Sequence, residues 1–143
     1  MKSKIALVVS VGFAILFGVL AYVYYEKAYI AEAVMESGIR DTLRDSALFF
    51  EKDHYDAAYA EPLYVLNGYV ELQRSSFKKG ENDQLDFIVR TVKEYGDPVT
   101  YQILSADEKE KIADSLRRLA DKQPIYVSKE DWSFFYDLKI EKP

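Results

Sequence analysis

The sequence lacks cysteine altogether, which excludes disulfide bonds, thiolate nucleophiles and metal centres ligated by cysteine. Its six glycines are scattered and form neither a G-x-G-x-x-G pattern nor a P-loop, so phosphate-binding loops of these kinds are excluded as well. Carboxylates remain as the main chemical groups. With 24 acidic residues some pair is always available, so a carboxylate pair in the sequence does not by itself predict a hydrolase.

Histidine is almost absent too, and any Ser/His/Asp arrangement would depend on the single His54. The sequence Glu51-Lys52-Asp53-His54 fits the Glu-x-x-His spacing of di-iron helix bundles, but those sites need a second copy of the motif. A loosely held divalent cation beside Glu51, Asp53 and Asp56 is the alternative to an exposed histidine in an acidic turn. We favour the exposed histidine and expect no catalytic constellation, no cofactor and no metal site.

The charge of the chain is acidic overall, with 24 acidic against 19 basic residues and a net charge of −5. Lys2 and Lys4 contribute two of the positive charges, so the chain after them carries −7. An acidic surface repels phosphate backbones, which disfavours nucleic acid as a partner. Aromatic residues make up 15% of the chain, a content typical of a folded domain.

Residues 5–25 form an apolar run of 21 residues without a charged side chain. As a helix this run is roughly 30 Å long, which is the thickness of the hydrocarbon core of a bilayer. We therefore predict a transmembrane signal-anchor helix at 5–25, a short segment at 1–4 and a folded domain at 26–143. Two alternatives stay open. The first is a signal peptide cleaved after Ala21, because small residues occupy the positions that such a cleavage site requires. The second is a buried core helix.

The charges that flank the apolar run predict its orientation. Lys2 and Lys4 precede the run. After it, Glu26 and Lys27 cancel each other. The positive-inside rule then places the N-terminus in the cytoplasm and the C-terminal domain in the periplasm or outside the cell. The predicted location is therefore the inner or plasma membrane, crossed once.

Small side chains recur at every fourth position of the apolar run and form a small-residue ridge on a helix. The members of this ridge are Ala6, Ser10, Ala14 and Gly18. Such a ridge lets a second helix approach closely, which favours helix association inside a bilayer. We predict that it packs against another membrane protein or a second copy of this chain. Chance is the alternative, because small residues are common in membrane helices.

Tyrosines cluster where the apolar run ends. They are Tyr22, Tyr24, Tyr25 and Tyr29. Tyrosine is enriched at the level of the lipid headgroups, where its ring is buried and its hydroxyl is hydrated. We therefore predict that these side chains mark one membrane interface.

Hydrophobic spacing predicts helices through the rest of the chain. The first covers 26–53, with Gly38 as a candidate bend. Its predicted inner face is Met35, Ile39, Leu43, Ala47 and Phe50. After a break at 54–61, a second helix begins at Pro62 and ends at Lys78-Lys79-Gly80. Its apolar face is Leu63, Leu66, Val70 and Phe77, and Asn67-Gly68 is a candidate kink or close helix contact.

A third helix is predicted over 83–95, with Gly96-Asp97-Pro98 as its stop. Its predicted inner face is Leu85, Ile88, Val89 and Val92. The strongest local signal follows: Ser105 and Glu108 have the spacing of a capping box, which predicts a helix from Ala106 to about Lys122. The segment 125–127 has strand-like residues, whereas Ser128 favours a last helix. Because no sustained alternation of apolar and polar residues is present, we predict an all-α fold: one transmembrane helix followed by a small helical bundle.

Aromatic side chains crowd two stretches of the predicted domain, and they suit either a core or a binding surface. These side chains are Tyr55, Tyr59, Tyr64 and Tyr69, then Trp132, Phe134, Phe135 and Tyr136. The leading hypothesis is a non-enzymatic accessory or scaffold subunit of a membrane complex. The second is a membrane-anchored ligand-binding or sensor domain. The third, an enzyme, would need two inward-facing acids in a cleft, one of them with a raised pKa.

Overall fold

The computed structural model describes residues 2–76 and 83–142, and within these ranges it contains helices and no strands, which confirms the predicted all-α class. The helices are α1 (Lys2–Phe50), α2 (Glu61–Ser76), α3 (Asp83–Tyr95), α4 (Pro98–Ile103), α5 (Ala106–Asp121) and α6 (Lys129–Glu141). A short 3-10 turn at Ala57–Tyr59 separates the first two helices. The chain divides into two compact units, Met1–Val34 and Met35–Pro143.

The second unit is built around one hydrophobic core. From Met35 onward, α1 buries the face predicted from its spacing, and Ile39 and Leu43 are fully inaccessible to solvent. Phe49 is buried as well, although it lies off that face. The reason is local: the ring of Tyr101 lies 4.8 Å from the Phe49 ring, and residues after α1 cover its other side.

Gly38, a candidate bend in the sequence, lies inside the continuous helix α1 and has a packing role. A Cβ atom at this position would lie 2.9 Å from the Cζ atom of Tyr69 on α2. The glycine therefore lets the Tyr69 ring pack directly on the backbone of α1. Gly68, in the middle of α2, differs: a Cβ there would meet none of the described atoms within 4 Å.

These two glycines give a matched pair of substitutions with different expected effects. Gly68→Ala should raise the free energy of unfolding by about 1 kcal/mol, the difference in helix propensity. Gly38→Ala gains the same propensity but forces the tip of the Tyr69 ring to shift. We expect a smaller gain for Gly38→Ala than for Gly68→Ala. Urea unfolding of the full-length protein in mild detergent measures both, and an equal gain for the two variants would contradict this packing.

The second and third helices agree with their predicted inner faces. On α2, Leu63, Leu66 and Val70 are buried, while Phe77 of the predicted face and the predicted helix end at 78–80 lie outside the described residues. On α3, the apolar residues Leu85, Ile88, Val89 and Val92 are all buried. Α polar exception on α2 is Asn67, which is 8% exposed and donates to the carboxylate of Glu71. These faces close the core around α1.

The predicted stop at Gly96-Asp97-Pro98 was only half right. It ends α3, but Pro98 is also the first residue of α4, a helix that the sequence analysis missed. The Asp97 carboxylate accepts a hydrogen bond from the Val99 N–H at 2.9 Å and so caps this helix. Proline suits a first helical position because its missing N–H would have no partner there. The consequence is large, because α4 delivers Tyr101 to the core.

The predicted capping box of α5 is confirmed. The Glu108 N–H donates to Ser105 Oγ at 3.2 Å, and the Ser105 N–H donates to the Glu108 carboxylate at 2.6 Å. Burial would raise the pKa of Glu108, but hydrogen bonds from Lys142 and Ser105 outweigh it and lower the pKa to about 2. The segment 125–127, which had strand-like residues, forms no strand. Ser128 caps α6, as expected for the alternative of a last helix.

Candidate functional site

The predicted small-residue ridge lies on the exposed surface of α1 within the first unit. Ser10, Ala14 and Gly18 are exposed and follow one another by one helical turn, while the side chain of Ala6 lies outside the described residues. A Cβ atom on Gly18 would meet none of the described atoms within 4 Å. The ridge is thus open to an approaching helix, and its packing against one stays a prediction.

The rest of this part of α1 is apolar and exposed. Large side chains such as Phe17 and Ile15 have 65% and 63% of their surface accessible, and most of the neighbouring apolar side chains are exposed as well. The four tyrosines predicted at the interface are exposed on the same helix, with Tyr24 at 78%. Among the described residues, this N-terminal helix is the one that is long and apolar enough to span a membrane.

A second feature, not predicted from the sequence, is a cleft of about 530 Å³ in the second unit. One wall comes from the end of α1 and the turn after it, and the other from one face of α5; we name it the α1–α5 cleft. It is lined by Phe50, Glu51, Lys52 and Asp53, and by Ala106, Lys109, Glu110, Ala113, Asp114 and Arg117. Its volume falls in the range of ligand pockets, about 300–1,000 Å³.

The sequence of α5 explains why a cleft forms there. Ala106 and Ala113 are two turns apart, so their short side chains lie on one face of the helix and leave space. Phe50, at the end of α1, adds an apolar surface below. The signal that could have revealed this cleft was the pair of alanines among long charged residues, but the partner across the gap is fixed only by the fold.

Two cations of the cleft lie over aromatic rings. The Lys109 ammonium lies 3.8 Å from the centroid of the Tyr101 ring, and Lys52 lies 4.0 Å from that of Tyr59. The Tyr101 hydroxyl donates to the carbonyl of Lys52 at 2.6 Å, and its oxygen lies 3.4 Å from the carbonyl of Phe49. Burial raises the pKa of Tyr101, and the nearby Asp53 carboxylate raises it further. Tyr101 therefore fixes the turn that forms one wall.

A buried carboxylate lies elsewhere in the same unit, at the start of α6. The side chain of Asp131 is 1% exposed and accepts hydrogen bonds from Arg118 at 2.8 Å and Ser128 at 2.5 Å. Lys122 lies 3.3 Å away. Burial would raise the pKa of Asp131, but hydrogen bonds from these groups and from Ser115 lower it. The sequence predicted the helix cap at Ser128, but it did not predict that Arg118 and Lys122 lie beside the Asp131 carboxylate.

The other residues singled out in the sequence are dispersed. His54 is exposed in the turn after α1, and the described residues contain no group of three or more His, Asp or Glu side chains placed to hold a metal ion. Tyr55 and Tyr69 pack against the core, whereas 54% of Tyr64 is exposed. Trp132 contacts Phe87, with ring centroids 4.9 Å apart. The tyrosines thus form no single surface.

The enzyme hypothesis required a carboxylate with a raised pKa in a cleft. Among the described residues, the carboxylates of Glu108 and Asp131 have lowered pKa values, and neither lines the α1–α5 cleft. No family model, no curated protein and no solved structure matches the chain. A role for this protein therefore has to be argued from its own residues.

Proposed function

We propose that this protein is a non-enzymatic, single-span accessory or scaffold subunit of a larger membrane complex. Its N-terminus lies in the cytoplasm, and the domain after the membrane helix lies on the far side of the inner or plasma membrane. The observation that carries the proposal is the small-residue ridge on an otherwise bulky, exposed apolar helix. Lipid can cover the bulky rows, while a ridge of small residues is used best by another helix.

The net charge of the chain also bears on the kind of partner. The chain after Lys4 carries a net charge of −7, which argues for a protein partner and against a nucleic acid or an anionic lipid surface. The tyrosines Tyr22, Tyr24, Tyr25 and Tyr29 would then anchor the helix at the headgroups and set its depth. These contacts would keep the small-residue ridge at a constant depth in the bilayer, where a partner helix can pack against it.

Leucine substitutions on the ridge test the association. Ala14→Leu combined with Gly18→Leu should weaken it by at least tenfold, because close contact of two helix backbones is lost. The measurement is a pull-down of the tagged full-length protein in mild detergent, followed by native mass determination of the retained assembly.

The matched control places leucine on a row that is already bulky. Val11→Leu with Val19→Leu changes the same helix by a similar chemistry and should leave the assembly intact. If the ridge variant retains the same partner at the same stoichiometry as the control, in detergent and in membranes, the ridge is not the interface. Recovery of a stoichiometric foreign membrane protein supports an accessory subunit; a pure monomer contradicts it.

A second candidate function is a membrane-anchored ligand-binding or sensor domain. The observation that favours it is the α1–α5 cleft, whose volume of about 530 Å³ lies in the range of ligand pockets. It predicts that a small molecule raises the melting temperature of the domain by mass action.

A further inference from the structure

One side of α1 carries a second stripe of residues, distinct from the small-residue ridge. Its members are all exposed, and we name them the heptad stripe: Leu16, Leu20, Val23, Lys27, Ile30 and Val34. Spacings of four and three residues alternate along it without interruption, which is the repeat of helices that wind around each other. At about 100° per residue, the heptad stripe lies nearly opposite Ala14 of the ridge.

The last part of the heptad stripe extends beyond the proposed membrane span. Val34 comes nine residues after Tyr25, where the apolar run ends, so along the helix it lies roughly 14 Å further on. The headgroup layer on each side of a bilayer is only about 5–8 Å thick. Lipid therefore does not cover Val34, which is 66% exposed, and in a single copy of the chain its apolar side chain faces water.

The residues beside this part of the stripe suit a close contact between two helices. Ala31 and Ala33 lie on either side of Ile30 and Val34, at the e and g positions of the repeat, and their short side chains leave room for a second helix. Glu32 is exposed on the opposite face. The segment 26–34 thus has one narrow apolar side and one polar side.

The two charges at the start of this segment point to the occupant. Glu26 and Lys27 are exposed, and neither forms an ion pair with the described residues. Adjacent residues do not face each other on a helix, so the two charges are not neutralised by direct contact within one chain. A second copy in the same membrane has its α1 parallel to the first. Lys27 of each copy then occupies a central position of the repeat beside Glu26 of the other copy.

We propose that the segment 26–34 pairs with the same segment of a second copy, as a parallel two-stranded coiled coil that continues the membrane helix. This inference rests on the proposed membrane span, which sets the parallel orientation. Lys27 favours two strands, because its long stem can carry the ammonium group to the surface of a dimer. The segment is short, but two copies in one membrane have a high effective concentration. The small-residue ridge, on the other side of α1, stays available to a different partner.

Disulfide crosslinking tests this proposal directly, because the chain has no cysteine of its own. Ile30→Cys and Val34→Cys are introduced singly into the full-length protein and oxidised in membranes with copper phenanthroline. We expect both variants to form a disulfide-linked dimer. Glu32→Cys is the matched control, because it is exposed in the same segment but faces away. It should crosslink at least about tenfold more slowly, since a disulfide forms only where the two Cα atoms come within about 7 Å.

Charge variants in the Val34→Cys background test the choice of a second copy as the occupant. Lys27→Glu places two acidic residues on each helix and should slow crosslinking about fivefold through repulsion. Exchanging the charges, with Glu26→Lys and Lys27→Glu together, puts opposite charges beside each other again and should restore the rate. If the exchange does not restore it, Lys27 does not pair with Glu26 of a second copy, and the proposal fails.

The remaining outcomes separate this inference from the proposed function. Equal crosslinking of all three cysteine variants shows random collision and overturns the coiled coil. Crosslinking of Glu32→Cys alone places the contact on the side of the small-residue ridge, so the coiled coil fails while association through the ridge is supported. If no variant crosslinks although the protein stays in carbonate-washed membranes, the dimer is wrong and the membrane span stands. Loss of the protein from those membranes contradicts the proposed function itself.

Discussion

Replacing Asp131 with alanine should lower the free energy of unfolding by about 3 kcal/mol, near the lower end of what the loss of one partner from a buried ion pair costs. The side chain of Asp131 is 1% exposed, so the variant leaves its partners without a carboxylate in a closed site. Lys122 is 18% exposed and would keep a poorly hydrated ammonium group. Arg118 is 48% exposed and can be rehydrated, which is why the expected loss is not larger.

The same variant removes the carboxylate that holds the hydroxyl of the α6 helix cap in place. Ser128 Oγ accepts a hydrogen bond from the Asp131 N–H at 3.1 Å and donates to its carboxylate at 2.5 Å, so the two residues fix the first turn of α6. That turn presents the single tryptophan of the chain, Trp132, to Phe87. Urea unfolding followed by tryptophan fluorescence therefore reports directly on this region, in the full-length protein in mild detergent.

The stabilisation by Asp131 should depend on pH in a defined direction. Its folded pKa is lowered from the usual 3.8, so the charged form is favoured in the native state. The contribution is then fully present above pH 3.8 and is lost as the pH falls through the folded pKa. The difference in stability between wild type and Asp131→Ala should therefore be constant at neutral pH and shrink in acid.

A control on the same helix separates this effect from a general change in charge. Asp137 is exposed on α6 and forms no ion pair with the described residues. Asp137→Ala should change the free energy of unfolding by less than about 0.5 kcal/mol, as is usual at the surface. A similar loss for both variants, or a loss for Asp131→Ala that does not change in acid, would show that the buried cluster does not stabilise the fold as described.

The helices could be predicted because their signals are local. Spacing of apolar residues located α3 and the inner face of α1, and the capping box located the start of α5, since each depends on residues within a few positions of one another. The short helix α4 was missed because its proline was interpreted only as a stop. Proline ends one helix and begins the next with equal ease, and local sequence does not separate the two cases.

The two candidate sites differ in whether their residues lie close together in the sequence. The small-residue ridge could be seen in the sequence, because its members lie on one helix at a constant spacing. The α1–α5 cleft could not, because Phe50 and Ala113 are far apart in the chain and only the fold brings them together. Tyr101 and Asp131 escaped for a related reason. Their partners, Lys52 and Arg118, lie on other elements, so the residues looked like an ordinary aromatic and an ordinary cap.

Tyr101 is expected to contribute strongly to the stability of the second unit, because its large side chain is 1% exposed. Tyr101→Ala should lower the free energy of unfolding by about 3–5 kcal/mol, because it empties the space between the rings of Phe49, Phe50 and Tyr55. The ring of Tyr101 lies 4.8 Å from that of Phe49 and 5.8 Å from that of Tyr55. A large cavity at this point cannot be filled from the surface, since Tyr101 is 1% exposed.

Tyr101→Phe isolates the hydroxyl. It should cost about 1–3 kcal/mol, because the carbonyl of Lys52 loses a buried partner. The Phe49 carbonyl keeps the N–H of Lys52 at 3.3 Å and is affected less. The same variant should also reduce the loss of stability in alkali. Because the folded pKa of Tyr101 is raised above 10.0, the stabilisation is complete below that value and declines as the pH rises through the folded pKa.

Tyr126 provides the matched control for both substitutions. It also has a lysine over its ring, with the Lys122 ammonium 4.4 Å from the ring centroid, but it is 59% exposed. Tyr126→Ala should change stability by less than about 1 kcal/mol, which is the most that an exposed cation–π contact supplies. Comparable losses at Tyr101 and Tyr126 would mean that the lysine contact, not burial of the ring, holds the end of α1. In that case the Lys109 contact would hold the wall of the α1–α5 cleft, and Lys109→Met would destabilise the end of α1 more than Tyr101→Phe does.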